Sequence, residues 1–178
     1  MAIFQPGSGG FLNPKNIIES FVFLEPQMKV ADFGCGHGYF AVPLAQKLTE
    51  GKVFALDILP SALEAVRSKA KMEGLQNIEY IRCDLEKKAK LEDESCDIVL
   101  IANLLFQVEN KENVVKEAKR VVKKGGKIIC IDWLPNLPFS PQNAFPPSKA
   151  KELFLKHGLI LEKEFATDKY HYGLIFKK

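Results

Sequence analysis

Five consecutive residues, Gly34-Cys35-Gly36-His37-Gly38, follow directly on a short apolar run, Lys29 to Phe33, and precede a stretch with helical apolar spacing. A glycine-rich turn between a buried strand and a helix brings backbone amides and the positive helix end to where an anionic or polar nucleotide-like ligand can approach. A β-carbon on that turn would hold the ligand off. A second apolar run, Val53 to Asp57, ends in a carboxylate nineteen residues beyond Gly38. An acid at such a strand end is suited to accept both hydrogen bonds of a ribose diol. Together these residues describe a nucleoside cofactor lying over the carboxyl ends of neighbouring strands.

The dinucleotide fingerprint G-x-G-x-x-G is not met, because the third glycine falls one position early and Tyr39 takes its slot. An acid, Asp32, also stands two positions before Gly34, where two phosphates would leave little use for it. An NAD(P)-dependent oxidoreductase is therefore carried only as an alternative.

The elements that must hold these residues alternate between strand and helix signals, the pattern of a parallel sheet wrapped by helices. Asn13-Pro14 opens a helix expected over Lys15 to Phe23. Further helices are expected over Tyr39 to Leu48, Ala62 to Glu73 with Ser61 as its cap, Lys111 to Val122, and Ser148 to His157. Strands are expected over Lys29 to Phe33, Val53 to Asp57, Asn77 to Arg82, Cys96 to Ala102 and Lys127 to Asp132. Two more, Leu159 to Phe165 and Tyr172 to Phe176, are too close in sequence for a parallel crossover and must pair antiparallel if they pair. The spacing predicts one domain over residues 1–178, with residues 1–24 and the Pro-rich stretch 133–147 the segments free to cover a ligand.

Composition sets bounds on partners. The 178 residues are 47% apolar, enough for a layered core, which argues against a disordered chain. Lys and Arg exceed Asp and Glu by 25 to 22, a net charge of +3 that is too mild and scattered to be a nucleic-acid footprint. No apolar run approaches the roughly 20 residues of a membrane span, and the first residues lack a signal-peptide pattern, so a cytoplasmic protein is expected. Cys35, Cys83, Cys96 and Cys130 have no Cys-x-x-Cys spacing and read as reduced thiols, with no metal expected.

With Asp32, the glycine loop and Asp57 in place, the sequence resembles the class I S-adenosylmethionine-dependent methyltransferases. Val30-Ala31-Asp32-Phe33-Gly34-Cys35-Gly36-His37-Gly38 is similar to that family's signature loop. Asp57, Asp84, the run Asp97 to Asn103 and Lys123-Lys124-Gly125-Gly126-Lys127-Ile128 follow in the family's order. The resemblance implies an α/β fold: a doubly wound, seven-stranded, mostly parallel sheet with helices on both faces and an antiparallel C-terminal strand. It also implies roles. Asp32 and the backbone of Gly34, Gly36 and Gly38 would hold the methionine part of S-adenosyl-L-methionine, with Asn103 near its amino group. Asp57 would bind the ribose and Ile58 would pack on adenine. Asp84 would accept from the adenine amino group, and the Leu85 amide would meet the ring. For Asp84 the competing reading is a turn cap.

Methyl transfer is a displacement at an already activated carbon, so alignment and exclusion of water matter most and a dedicated base is optional. No catalytic residue is assigned from the sequence. His37 in the loop could face the acceptor but is expected to be solvent-exposed or bonded to backbone, and His171, between Tyr170 and Tyr172, a turn or strand-edge residue. Asp132 and Trp133 are candidates to contact the acceptor, with anchoring of the Pro-rich segment the alternative for Trp133; Phe11, Phe106 and Phe145 are candidates to wall it, against the alternative that they are core. Members of the family that methylate exocyclic amines carry Asn/Asp-Pro-Pro-aromatic where this chain has Asn103-Leu104-Leu105-Phe106. A small-molecule acceptor is expected, with self-association left open. The alternatives kept are a cofactor-binding module without turnover and an RNA or protein methyltransferase.

Overall fold

The computed structural model describes residues 12–178. The strands are β1 (Lys29–Phe33), β2 (Lys52–Asp57), β3 (Ile78–Arg82), β4 (Cys96–Ala102), β5 (Val122–Trp133), β6 (Ile160–Ala166) and β7 (His171–Lys177). They form one sheet in the order β3-β2-β1-β4-β5-β7-β6. Pairing is parallel from β3 to β5, and β7 inserts antiparallel between β5 and β6. β4 is apolar along almost its whole length, and both β1 and β4 are buried along almost theirs, as strands covered on both faces must be.

Helices α1 (Pro14–Glu19), α2 (Ala41–Lys47) and α3 (Pro60–Met72) pack on one face, and α4 (Lys111–Val121) and α5 (Pro147–Lys156) on the other. Each face has its own core. Ile17, Leu44, Leu48, Val66, Ile98 and Ile131 meet on the first. Phe33, Leu56, Ile101, Val114, Phe154 and Phe176 meet on the second, where the Phe154 and Phe176 rings stack at 4.4 Å. Just ahead of β3, the Asn77 amide donates to the carbonyls of Ala45 and Leu48 at 2.9 and 2.8 Å, closing the last turn of α2.

Three local expectations are corrected. The first helix stops at Glu19 rather than Phe23: Ser20 Oγ bonds back to the Ile17 carbonyl at 2.6 Å, and the chain then turns to stack Phe21 on Phe23. Ser61 does not cap α3; Pro60 begins the helix after Leu59, whose N–H goes to the Asp57 carboxylate at 2.9 Å. β5 starts at Val122, pairing with Cys96 before a register shift, because Lys124 to Gly126 continue the strand instead of ending a helix. No helix among the described residues is long and apolar enough to cross a membrane.

Candidate cofactor and acceptor site

The strand order reverses between β1 and β4, so the chain leaves their carboxyl ends in opposite directions and opens a crevice there. Beyond β1, the N–H groups of Gly34 and Cys35 both donate to the Leu56 carbonyl, at 2.8 and 3.0 Å. The loop then turns through Gly36 and Gly38, at φ +48° and +81°, conformations that L side chains rarely adopt. Gly36 faces open space, whereas a β-carbon on Gly38 would lie 3.2 Å from methyls of Val42 and Val66. One glycine thus leaves open space beside the loop and the other lets two helices close.

Asp57 ties this loop to the neighbouring strand. Its Oδ2 accepts from the Gly36 N–H and its Oδ1 from the Leu59 N–H, both at 2.9 Å. The side chains of Ile58 and Leu59 beside it are more than half exposed, 54% and 58%. At the end of β3, Asp84 Oδ1 accepts from the Glu86 N–H at 3.0 Å, the turn-cap geometry, and its other oxygen pairs with Lys87 at 3.1 Å. The Leu85 side chain is buried in the second core.

Asp32 is 2% exposed at the end of β1, and its Oδ2 accepts no hydrogen bond among the described residues. Burial, and then the negative charge of Asp57, push its pKa up to about 7, against a backbone hydrogen bond from Ala41. Across the crevice Asn103 sits at φ +51°, its N–H fixed to the Ile131 carbonyl at 2.8 Å, and its buried Oδ1 is likewise without a donor. Asn tolerates this backbone shape better than most side chains.

Both residues line a cavity of about 490 Å³, in the range of small-molecule sites. Gly34 and Gly36 share its floor, while Phe40, Phe106, Trp133, Phe139 and Pro141 make an apolar wall. Phe139 and Pro141 belong to the Pro-rich segment. That segment is pinned by Leu134 N–H to the Tyr170 carbonyl at 2.7 Å and by the Asn143 amide to the Phe106 carbonyl at 2.5 Å.

Of the sequence-derived residues, Asp32, Gly34, Gly36 and Asn103 meet at the cavity. Gly38, Asp57, Ile58, Asp84 and Leu85 lie off it, on the loop and at the ends of β2 and β3. Trp133 and Phe106 line it. Asp132 does not: it is fully buried, with oxygens accepting from the N–H groups of Trp133 and Phe106 at 2.8 and 3.3 Å. Phe145 packs on the second core under Lys111 rather than walling the cavity. Phe11 lies outside the described residues. His37 is exposed at the rim.

His171 is the functional candidate the sequence reading missed. It opens β7 opposite Trp133, is 3% exposed, and lines the cavity with its ring 4.1 Å from the indole. Its Nδ1 lies 2.9 and 3.0 Å from the two oxygens of Asp168, and its Nε2 has no partner among the described residues. Burial lowers its pKa more than Asp168 raises it. The available signal was Asp168-x-x-His171 ahead of an apolar run, the pattern of an Asp whose side chain binds nearby backbone amides.

The mostly parallel sheet with β7 inserted antiparallel, and a glycine loop at the β1 end, is the fold of the class I methyltransferases. The "Methyltransferase domain" family matches residues 31–130, and the chain belongs to that family. It is 32% identical over 153 residues to a demethylmenaquinone methyltransferase of Lactococcus lactis, a match covering 84% of this chain and 58% of that protein. The chain thus spans little more than half the length of this relative. The crystal structure of a SAM-dependent methyltransferase from Aquifex aeolicus superposes with a TM-score of 0.85 over 97% of this chain and 93% of that one, at 23% identity. The cyclase SpnF gives 0.79 over 92% and 80%, at 13% identity.

Proposed function

We propose that this chain is an S-adenosylmethionine-dependent methyltransferase acting on a small, largely apolar acceptor with an aromatic ring. The observation that carries this reading is the pair of buried oxygens lacking donors, Asp32 Oδ2 and Asn103 Oδ1, on one cavity beside the open face of Gly36. Buried polar atoms are almost always satisfied, so two orphaned acceptors call for a donor, and an amino group of a bound ligand meets that requirement. When bound, the cofactor supplies a methyl group on a positively charged sulfur. Asp32, Asn103 and the Gly34 to Gly38 backbone would hold its methionine end, Gly38 by setting the turn. Asp57 would take the ribose hydroxyls, Ile58 would cover the adenine, and Asp84 with the Leu85 amide would meet the adenine edge. The aromatic wall and the pinned Pro-rich segment keep water from the acceptor and fix its approach. The Lactococcus relative is named for demethylmenaquinone, and a planar ring of that kind suits Phe106, Trp133 and Phe139.

Titration calorimetry with S-adenosylhomocysteine and NAD⁺, followed by a methyl-release assay on phenols, naphthols and quinols, tests the reading. Tight binding of the first nucleoside alone, with turnover on a ring acceptor, is expected. Binding without turnover on any acceptor would favour the second reading, a cofactor module put to other use, which the shared fold of a cyclase illustrates.

A further inference from the structure

We infer that His171 Nε2, oriented by Asp168, is the proton acceptor for an aromatic hydroxyl of the methyl acceptor. This assignment rests on the methyltransferase reading above and adds to it the acceptor's ionising group. Asp168 is itself built in: its Oδ1 accepts the N–H groups of Tyr170 and His171, each at 2.8 Å, as well as the imidazole. A carboxylate 2.9 Å from Nδ1 fixes the proton on that nitrogen and leaves the lone pair on Nε2. That lone pair has no partner among the described residues, and its ring lines the cavity against Trp133. In the step proposed, the acceptor O–H bond breaks, its electron pair stays on oxygen, and the proton moves to Nε2. Asp168 then balances the imidazolium charge. No other reagent is required.

Other bases around the cavity are less suited. Asp32 belongs to the glycine-loop end and shares the field of Asp57, Asp132 has its oxygens on backbone amides, and His37 is exposed. The ionisable groups near the imidazole are Asp168 on its turn, Tyr170 and Tyr172 beside it, and Asp132 next to its strand partner Trp133. Asp32, Cys35, His37 and Tyr39 share the cavity.

The test uses para-nitrophenol, whose ionised form absorbs visibly, added to the full chain roughly one pH unit below the free probe's own ionisation. The wild type should bind it as the phenolate, while the His171 ring resonance, identified by its contact with Trp133, moves to the imidazolium position. His171→Gln should bind the probe in its neutral form and lose about 10²–10⁴-fold in turnover, mostly in kcat. A neutral probe on the wild type, no binding at all, or phenolate persisting in His171→Gln would each overturn the assignment. If His171→Gln fails to fold, the wild-type absorbance and resonance decide it alone. S-adenosylhomocysteine binding, measured on the same samples, separates the failures: if it binds while the probe stays neutral, only the role of His171 falls.

Discussion

Gly36 donates its backbone N–H to the carboxylate of Asp57 over 2.9 Å, so the acid ending the second strand also sets the shape of the loop that follows the first. Asp57→Ala removes the partner of both Gly36 and Leu59. The expected result is a stability loss of about 1–3 kcal/mol in urea unfolding and at least roughly tenfold weaker binding of S-adenosylhomocysteine by calorimetry. Unchanged binding would separate Asp57 from the nucleoside.

The raised pKa of Asp32 predicts a pH-dependent affinity. Its folded value of about 7 lies above its ordinary 3.8, so the folded chain holds a proton that the unfolded chain has released. Its contribution to stability is therefore full below the ordinary value and lost as pH rises through about 7. An ammonium partner favours the ionised form, so binding expels that proton. Affinity for S-adenosylhomocysteine should climb about tenfold per pH unit up to about 7 and then level off. Asp32→Asn should weaken binding and flatten the curve.

The two loop glycines should respond differently to a methyl group. Gly36→Ala meets no atom within 4 Å, so only backbone strain of about 1–2 kcal/mol is expected, together with a large loss of ligand affinity. Gly38→Ala adds a 3.2 Å squeeze against Val42 and Val66, and its stability loss should be greater by about 1 kcal/mol or more. Thermal unfolding and calorimetry on the pair check the order.

Much of this was legible because it is local or repetitive. The Gly34 to Gly38 loop is contiguous, Asp57 ends an unbroken apolar run, and Cys96 to Ala102 has the composition of a doubly covered strand. His171 was not legible. Its place on the cavity depends on β7 inserting beside β5, which brings it opposite Trp133, thirty-eight residues earlier in the chain. Phe145 and Asp132 failed for a related reason: residue type and position near a strand end do not tell which way a side chain turns, and both turn inward.

Asp168 should act through His171. In Asp168→Asn the imidazole loses its negative neighbour, so its pKa should fall further below the ordinary value than in the wild type, read from ring chemical shifts against pH. Because a neutral buried histidine binds fewer protons than the unfolded chain, stability declines as pH drops below the ordinary histidine value. In the variant that decline should extend to lower pH. An unmoved pKa would show that the pair is only structural.

The cavity of Asp32, Gly36 and Asn103 is proposed to hold the methionine end of S-adenosylmethionine. A structure of the chain with S-adenosylhomocysteine measures this most directly. The ligand's amino group should lie within hydrogen-bond reach of Asp32 Oδ2 or Asn103 Oδ1, and its ribose on Asp57. Ligand density elsewhere, or none at saturating concentration, would contradict it.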